Sequence, residues 1–171
     1  MSNLRLINET EITSSVSSVD ITDVFSADFD IYKISYTGTS ASVASVELRL
    51  INSSGSVITA SNYDNAHLSM TSQTTFFEAR GTNQTFMDNF FAINSNNDGS
   101  AVGYLFNPFS NSSYTFGIFQ NDSHNSTPHL WSGKGISVLK QTASMTGFQL
   151  YPNGANLDSG FIRTYGLRVD S

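Results

Sequence analysis

Cysteine is absent, which excludes disulfides and thiolate metal sites and leaves the redox compartment open. Charge is scarce: 13% of residues are Asp, Glu, Lys or Arg, about half the usual ~25%. Eight Lys and Arg stand against 14 Asp and Glu, for a net charge of −6, and the cations are scattered. The positive footprint that phosphate binding requires is therefore missing, and a nucleic-acid partner is not expected. No apolar run approaches the ~18 residues of a membrane span. The opening MSNLRLINETEI has neither the apolar core nor the cleavage site of a signal peptide. Export by the general secretory route is not expected, whereas assembly into a particle released by lysis would still bring the chain outside a cell.

The motifs of catalysis are missing as well. There is no G-x-S-x-G elbow, no P-loop and no dinucleotide fingerprint. Glutamate occurs only at Glu9, Glu11, Glu47 and Glu78, and Glu47 falls on the solvent side of its strand pattern, so a glycosidase pair is not indicated. The histidines are His67, His124 and His129. The last two are five apart in a loop and lack the third ligand and tighter spacing of a zinc site. Asp20, Asp23, Asp28 and Asp30 are clustered as a calcium site would be, but without EF-hand spacing, and turn and cap acids are the simpler reading. N-x-[ST] sequons such as Asn8, Asn111 and Asn125 are what chance produces in so much Asn, Ser and Thr. The expectation is a protein that is not an enzyme and carries no cofactor or metal.

What is present is aromatic bulk and a period of two. Aromatics make up 12% of the chain, with 13 Phe, so few residues are needed to fill a core. The clearest strand is 43–51, where Val46, Leu48 and Leu50 face the core and Ser45, Glu47 and Arg49 face water. Asn52 to Gly55 turns the chain, and 56–60 returns along it. A second strand, 31–37, places Tyr32, Ile34 and Tyr36 on one face. Further strands are predicted at 76–80, 86–93 (or a two-turn helix there), 101–107 with Val102, Tyr104 and Phe106 alternating, and 114–120 with Tyr114, Phe116 and Ile118 alternating. Residues 61–72 and 121–134 read as polar loops, and NSNNDGS at 94–100 as a turn. The segment 146–169 reads as one long hairpin turned by Pro152, Asn153, Gly154, Asn156 and Asp158, with Gly166 marking a bulge or a close backbone approach.

About nine or ten short strands at ten-residue intervals, with no convincing helix, indicate an all-β antiparallel sandwich or barrel. The expected division is an N-terminal strand or arm (1–24) and a single sandwich domain (25–171), closed by the hairpin 146–169.

Three stretches carry a resemblance. Ser14 to Tyr36 runs a Ser/Val strand into an aromatic strand. Val46 to Ala66 is a strand, a Ser/Gly turn, a strand and a Tyr-Asp loop. Thr146 to Arg168 is the closing segment. In that order they resemble a jelly-roll-like domain of structural proteins of tailed bacteriophages, cyanophages included. The resemblance implies a jelly-roll sandwich in a virion, most simply a capsid decoration or cement subunit binding other virion proteins. The alternative is a tail-fibre or baseplate domain that binds a host-surface glycan. Such a domain has no shared catalytic residues to carry over. A homo-oligomer is expected, a trimer by analogy with the symmetry of phage sites. For a contact surface the sequence offers Trp131, the only tryptophan, with His129 beside it and Tyr63 in another loop. An exposed aromatic can anchor an interface or stack on a sugar, whereas a Trp folded over the end of the sandwich would simply cap the core.

Overall fold

The strands of this computed structural model are β1 (Leu4–Ile12), β2 (Val19–Ile21), β3 (Ile31–Ser40), β4 (Ala44–Asn52), β5 (Tyr63–Thr71), β6 (Phe76–Gln84), β7 (Met87–Ile93), β8 (Gly99–Phe106), β9 (Thr115–His124), β10 (Leu130–Leu139), β11 (Met145–Asn153) and β12 (Leu157–Leu167). The structure describes residues 3–40, 42, 44–73, 76–93, 99–124 and 130–167, and among them there is no helix. Residues 86–93 are thus strand, not helix. All pairings are antiparallel, in an eight-stranded sheet ordered β1-β12-β3-β8-β9-β10-β5-β6 and a four-stranded sheet ordered β2-β11-β4-β7.

The pairing is nested. β1 lies beside β12, β2 beside β11, β3 beside β8 and β4 beside β7. That is one long hairpin rolled into two facing four-stranded sheets, the jelly roll. Two hairpins are added to it. β5–β6, inserted between β4 and β7, and β9–β10, inserted between β8 and β11, both extend the larger sheet beyond β8.

Several expectations are corrected. The segment 146–169 is not a hairpin: β11 pairs with β2 and β4 in the small sheet, and β12 with β1 and β3 in the large one. Rolling the sheet sends the two strands apart, and Gly154 (φ 90°) turns the chain between them. Residues 63–71, read as loop, form β5, and β10 begins at Leu130, so Trp131 sits on a strand. Beyond Asn52, Asn52 Oδ1 accepts the Ser54 and Ser56 N–H groups, but the return is no strand. It makes one bridge, Val57 to Ile51. Among the described residues, twelve strands replace nine or ten.

The core lies between the sheets, and β3, β4 and β11 bury the apolar faces predicted for them. Tyr32, Ile34 and Tyr36 of β3, Val46, Leu48 and Leu50 of β4, and Phe148 and Leu150 of β11 are fully buried, each such side chain contributing ~1.5–3 kcal/mol. Tyr32 keeps its hydroxyl satisfied by donating to Ser26 O (2.9 Å) and accepting from Ser26 N (2.8 Å). At Gly166 a Cβ would lie 2.5 Å from the Phe29 ring, so the glycine marks the close approach of an aromatic.

Candidate functional site

The outer surface of the large sheet is unusual because three strands are turned inside out. On β9, Thr115, Gly117, Phe119, Asn121 and Ser123 face inward, and Phe116 and Ile118 are 49% and 43% exposed. β8 follows suit, burying Gly99, Ala101, Gly103 and Leu105 and turning Val102, Tyr104 and Phe106 outward. On β10, Gly133, Ser137 and Leu139 are buried and Ile136 is 61% exposed.

The cause lies across the core. Phe90 and Phe91 of β7 are fully buried and stack edge to face at 5.0 Å, and Phe90 meets Phe119 at 5.3 Å. These rings fill the space beneath β8, β9 and β10. A Cβ on Gly103 would sit 2.2 Å from Phe90 Cε1, and one on Gly135 2.2 Å from Phe119 Cζ. Where these rings reach, at Gly103, Gly117 and Gly135, the inward position must be small; Leu105, Phe119 and Leu139 fill the rest of the inner face, while Phe116, Ile118 and Ile136 point to the solvent.

The ladder aligns them. Ile31, Phe106, Phe116 and Val138 form one cross-strand row, and Tyr104, Ile118 and Ile136 the next. Cross-strand apolar neighbours at this spacing act as one surface. The second row opens into a groove of about 910 Å³, whose rim carries Lys134, Glu78 and Arg80. These side chains give the outer face a contiguous apolar stretch.

The residues singled out from sequence do not come together. Tyr63 is no surface residue: it is fully buried, donates to Ile58 O and accepts from Leu50 N, both at 3.1 Å. Burial drives its phenol pKa well above the ordinary value. It reads as loop because β5 turns Asn65 and Ser69 inward beside it, a polar pattern that hides a strand. Trp131 lies at the other end of the β5–β10 ladder, where Leu139 faces Tyr63 and Trp131 faces Thr71. Half-buried, it stacks on Phe77 of β6 with centroids 5.7 Å apart and planes 2° from parallel. It is neither a loop anchor nor a cap on the main core. His129 lies outside the described residues.

Glu47 is also placed wrongly by sequence reasoning. It is buried, not solvated. Between Val46 and Leu48 the β4–β7 register shifts, pairing Val46 with Phe91 and Leu48 with Met87, so residues 88–90 bulge over Glu47. Asn89 takes a positive φ (53°) there. The carboxyl accepts from Asn89 N (2.7 Å) and Ser45 Oγ (2.7 Å). Desolvation, and then the charge of Asp88, push its pKa up to about 8. Through the bond from Asn89 N this carboxyl fastens β7 to β4. Asn65 and Asn121 grip the same bulge through Phe86 O, Asp88 N and Asn89 O.

The remaining candidates are dispersed. Asp20 accepts from Gln149 Nε2 at 2.8 Å, and Asp28 closes a turn with Ser26. His67 Nε2 lies 3.4 Å from Asn89 Nδ2. Among the described residues, no group of three or more His, Asp or Glu could hold a metal ion.

No family model matches the chain, and no curated protein matches it. Among solved structures it is weakly similar to a β-fructofuranosidase from Schwanniomyces occidentalis complexed with fructosyl-erythritol, at 10% identity and a TM-score of 0.26. That alignment covers 97% of this chain and 35% of the enzyme chain. It is also weakly similar to infectious bursal disease virus, Gx strain, at 8% identity and a TM-score of 0.15, covering 98% of this chain and 41% of that one. The chain thus spans little more than a third of the first of these, and likenesses this slight carry no argument about function.

Proposed function

We propose that this chain is a structural subunit of a bacteriophage virion, a capsid decoration or cement protein, that binds other virion proteins through the outer face of its large sheet. The observation that carries the reading is the inverted alternation of β8, β9 and β10. Phe116, Ile118 and Ile136 are spent on the surface, where they add nothing to the core. Covering such a face releases ~25 cal/mol per Å², and a stable interface buries roughly 1,200–2,000 Å² in total. The phage context rests on the resemblance of the three sequence stretches. No catalytic role is assigned to any residue.

Immunogold electron microscopy of purified particles tests this. Label spread over the head is the expected result, with loss of label when particles are assembled with the Phe116→Asp, Ile136→Asp variant. Particles without label would overturn the virion reading.

The Phe77–Trp131 stack favours a second reading, a tail-fibre or baseplate domain that binds a host glycan, since the exposed Phe77 ring lying parallel to the half-buried Trp131 offers an aromatic surface for a sugar. Label confined to the tail, with host-cell binding abolished in Trp131→Ala, would select it over decoration.

A further inference from the structure

The large sheet ends in two edges, β1 and β6. An edge strand leaves a row of N–H and C=O groups unpaired, and proteins blunt such edges with proline, bulges or a covering segment. β1 is blunted: its register breaks between Leu6 and Asn8, and Glu9 is already held by Arg163. β6 is not. Its regular part, Phe76 to Gly81, pairs with β5 without a break, contains no proline, and is exposed at nearly every position. The ladder is disturbed only after Gly81, where Asn83 takes a positive φ (55°). The usable edge is thus 76–82, and its centre is Ala79.

The sequence of that edge, FFEARGT, is complementary to itself. We propose that β6 pairs antiparallel with β6 of a second copy about a two-fold axis at Ala79, joining two large sheets into one. Glu78 then stands opposite Arg80 of the second copy, and Arg80 opposite Glu78, on the outer face. Phe77 faces Gly81, the one position in the strand without a side chain. Neither Glu78 nor Arg80 is in an ion pair among the described residues, so both are free to make this contact.

The charges also select the register. Faces match only if the two-fold moves by whole residues. Centred on Glu78, it sets two carboxylates opposite each other; centred on Arg80, it sets two guanidinium groups opposite each other. Only the Ala79 register makes two attractive cross-strand pairs, and like charges directly opposite are destabilising. The contact would make a dimer in place of the trimer that analogy suggests. It stands on β6 alone and does not depend on what the outer face binds.

Sedimentation velocity on the full chain tests it, with circular dichroism to confirm that each variant is folded. The wild type should sediment as a dimer. Glu78→Arg and Arg80→Glu should each weaken the dimer by about tenfold or more, and the double variant E78R/R80E should restore it. A monomeric wild type, single reversals without effect, or a double variant as weak as the singles would each overturn the proposal. Because the chain has no cysteine, Ala79→Cys gives a second measurement. Under mild air oxidation it should cross-link faster than Thr82→Cys, which the register places opposite Phe76. Equal rates would overturn the Ala79 axis.

Discussion

The backbone N–H of Asn89 donates to Glu47 Oε2 at 2.7 Å, closing a bulge of β7 onto β4 across 42 positions of the chain. A carboxyl so used is a stability element with a pH dependence. Its pKa in the folded chain is raised to about 8 by burial and by Asp88. The folded state therefore keeps a proton that the unfolded chain loses above its ordinary pKa. The contribution is fully present below that ordinary value, near 4.5, and is lost as pH rises toward 8. Melting temperature should fall across that window, with a total change of a few kcal/mol at ~1.4 kcal/mol per unit. Glu47→Gln keeps an acceptor for Asn89 and carries no proton equilibrium, so its melting temperature should be flatter from pH 5 to 8. A variant with the wild-type slope would place the titration elsewhere.

Gly103 faces the Phe90 ring across the core, and the space a side chain would need is already occupied. Gly103→Val should cost at least ~1–3 kcal/mol, the usual penalty of overpacking. The urea midpoint reads this directly. Phe90→Ala in the same background should recover part of the loss by vacating the ring's volume, whereas additive losses would show that the two sites do not meet.

How far the fold was legible depended on where the small residues fell. β3 and β4 read correctly because Ile34, Tyr36, Leu48 and Leu50 alternate with polar neighbours and face a core that wants bulk. β5 did not, because its inward set begins Tyr63, Asn65 and continues to Ser69, which composition alone assigns to a loop. The strand alternation of β8 and β9 was visible, but its sense was not. Which face is inner depends on Phe90 and Phe91, supplied by a strand that is apolar on both sides, and no local pattern connects them. The glycines at 103, 117, 133 and 135 were the one available clue, since small residues in strand interiors mark close approach. Glu47 was misplaced for a related reason: a period of two predicts its direction but not the bulge that covers it. In the closing segment 146–169 the two strands were legible, but Pro152, Asn153 and Asp158, read as turn, fall in β11 and β12, residues 168–169 lie outside the described residues, and which sheet each strand joins is a property of the roll.

Tyr63 and Trp131, paired in expectation as a contact surface, should separate by experiment. Tyr63→Phe removes the hydroxyl that links Leu50 N to Ile58 O and leaves a buried N–H unsatisfied. It should cost ~1–3 kcal/mol and leave particle binding of the folded protein unchanged. Trp131→Ala removes a stacked pair worth ~0.5–1.5 kcal/mol in addition to the area its half-buried ring covers. Denaturant melts followed by circular dichroism rank the two, and a larger loss in Trp131→Ala would mean that the Phe77 stack is part of the folding core.

Phe119 and Ile118 are adjacent on β9 and point to opposite faces, so they give the sharpest test of the inverted alternation. Phe119 packs on Phe90 and is 5% exposed, while Ile118 is 43% exposed on the outer row. Phe119→Ala should cost ~3–5 kcal/mol, and Ile118→Thr should stay within ~0.5 kcal/mol, as surface changes do. Ile118→Thr should also weaken attachment to the particle, which Phe119→Ala, assayed while folded, should not. Urea unfolding and particle co-sedimentation together decide the matter. A strand register slipped by one residue exchanges the two faces completely. It would therefore exchange the two stability losses, and the outer apolar surface on which the proposed function rests would become the core.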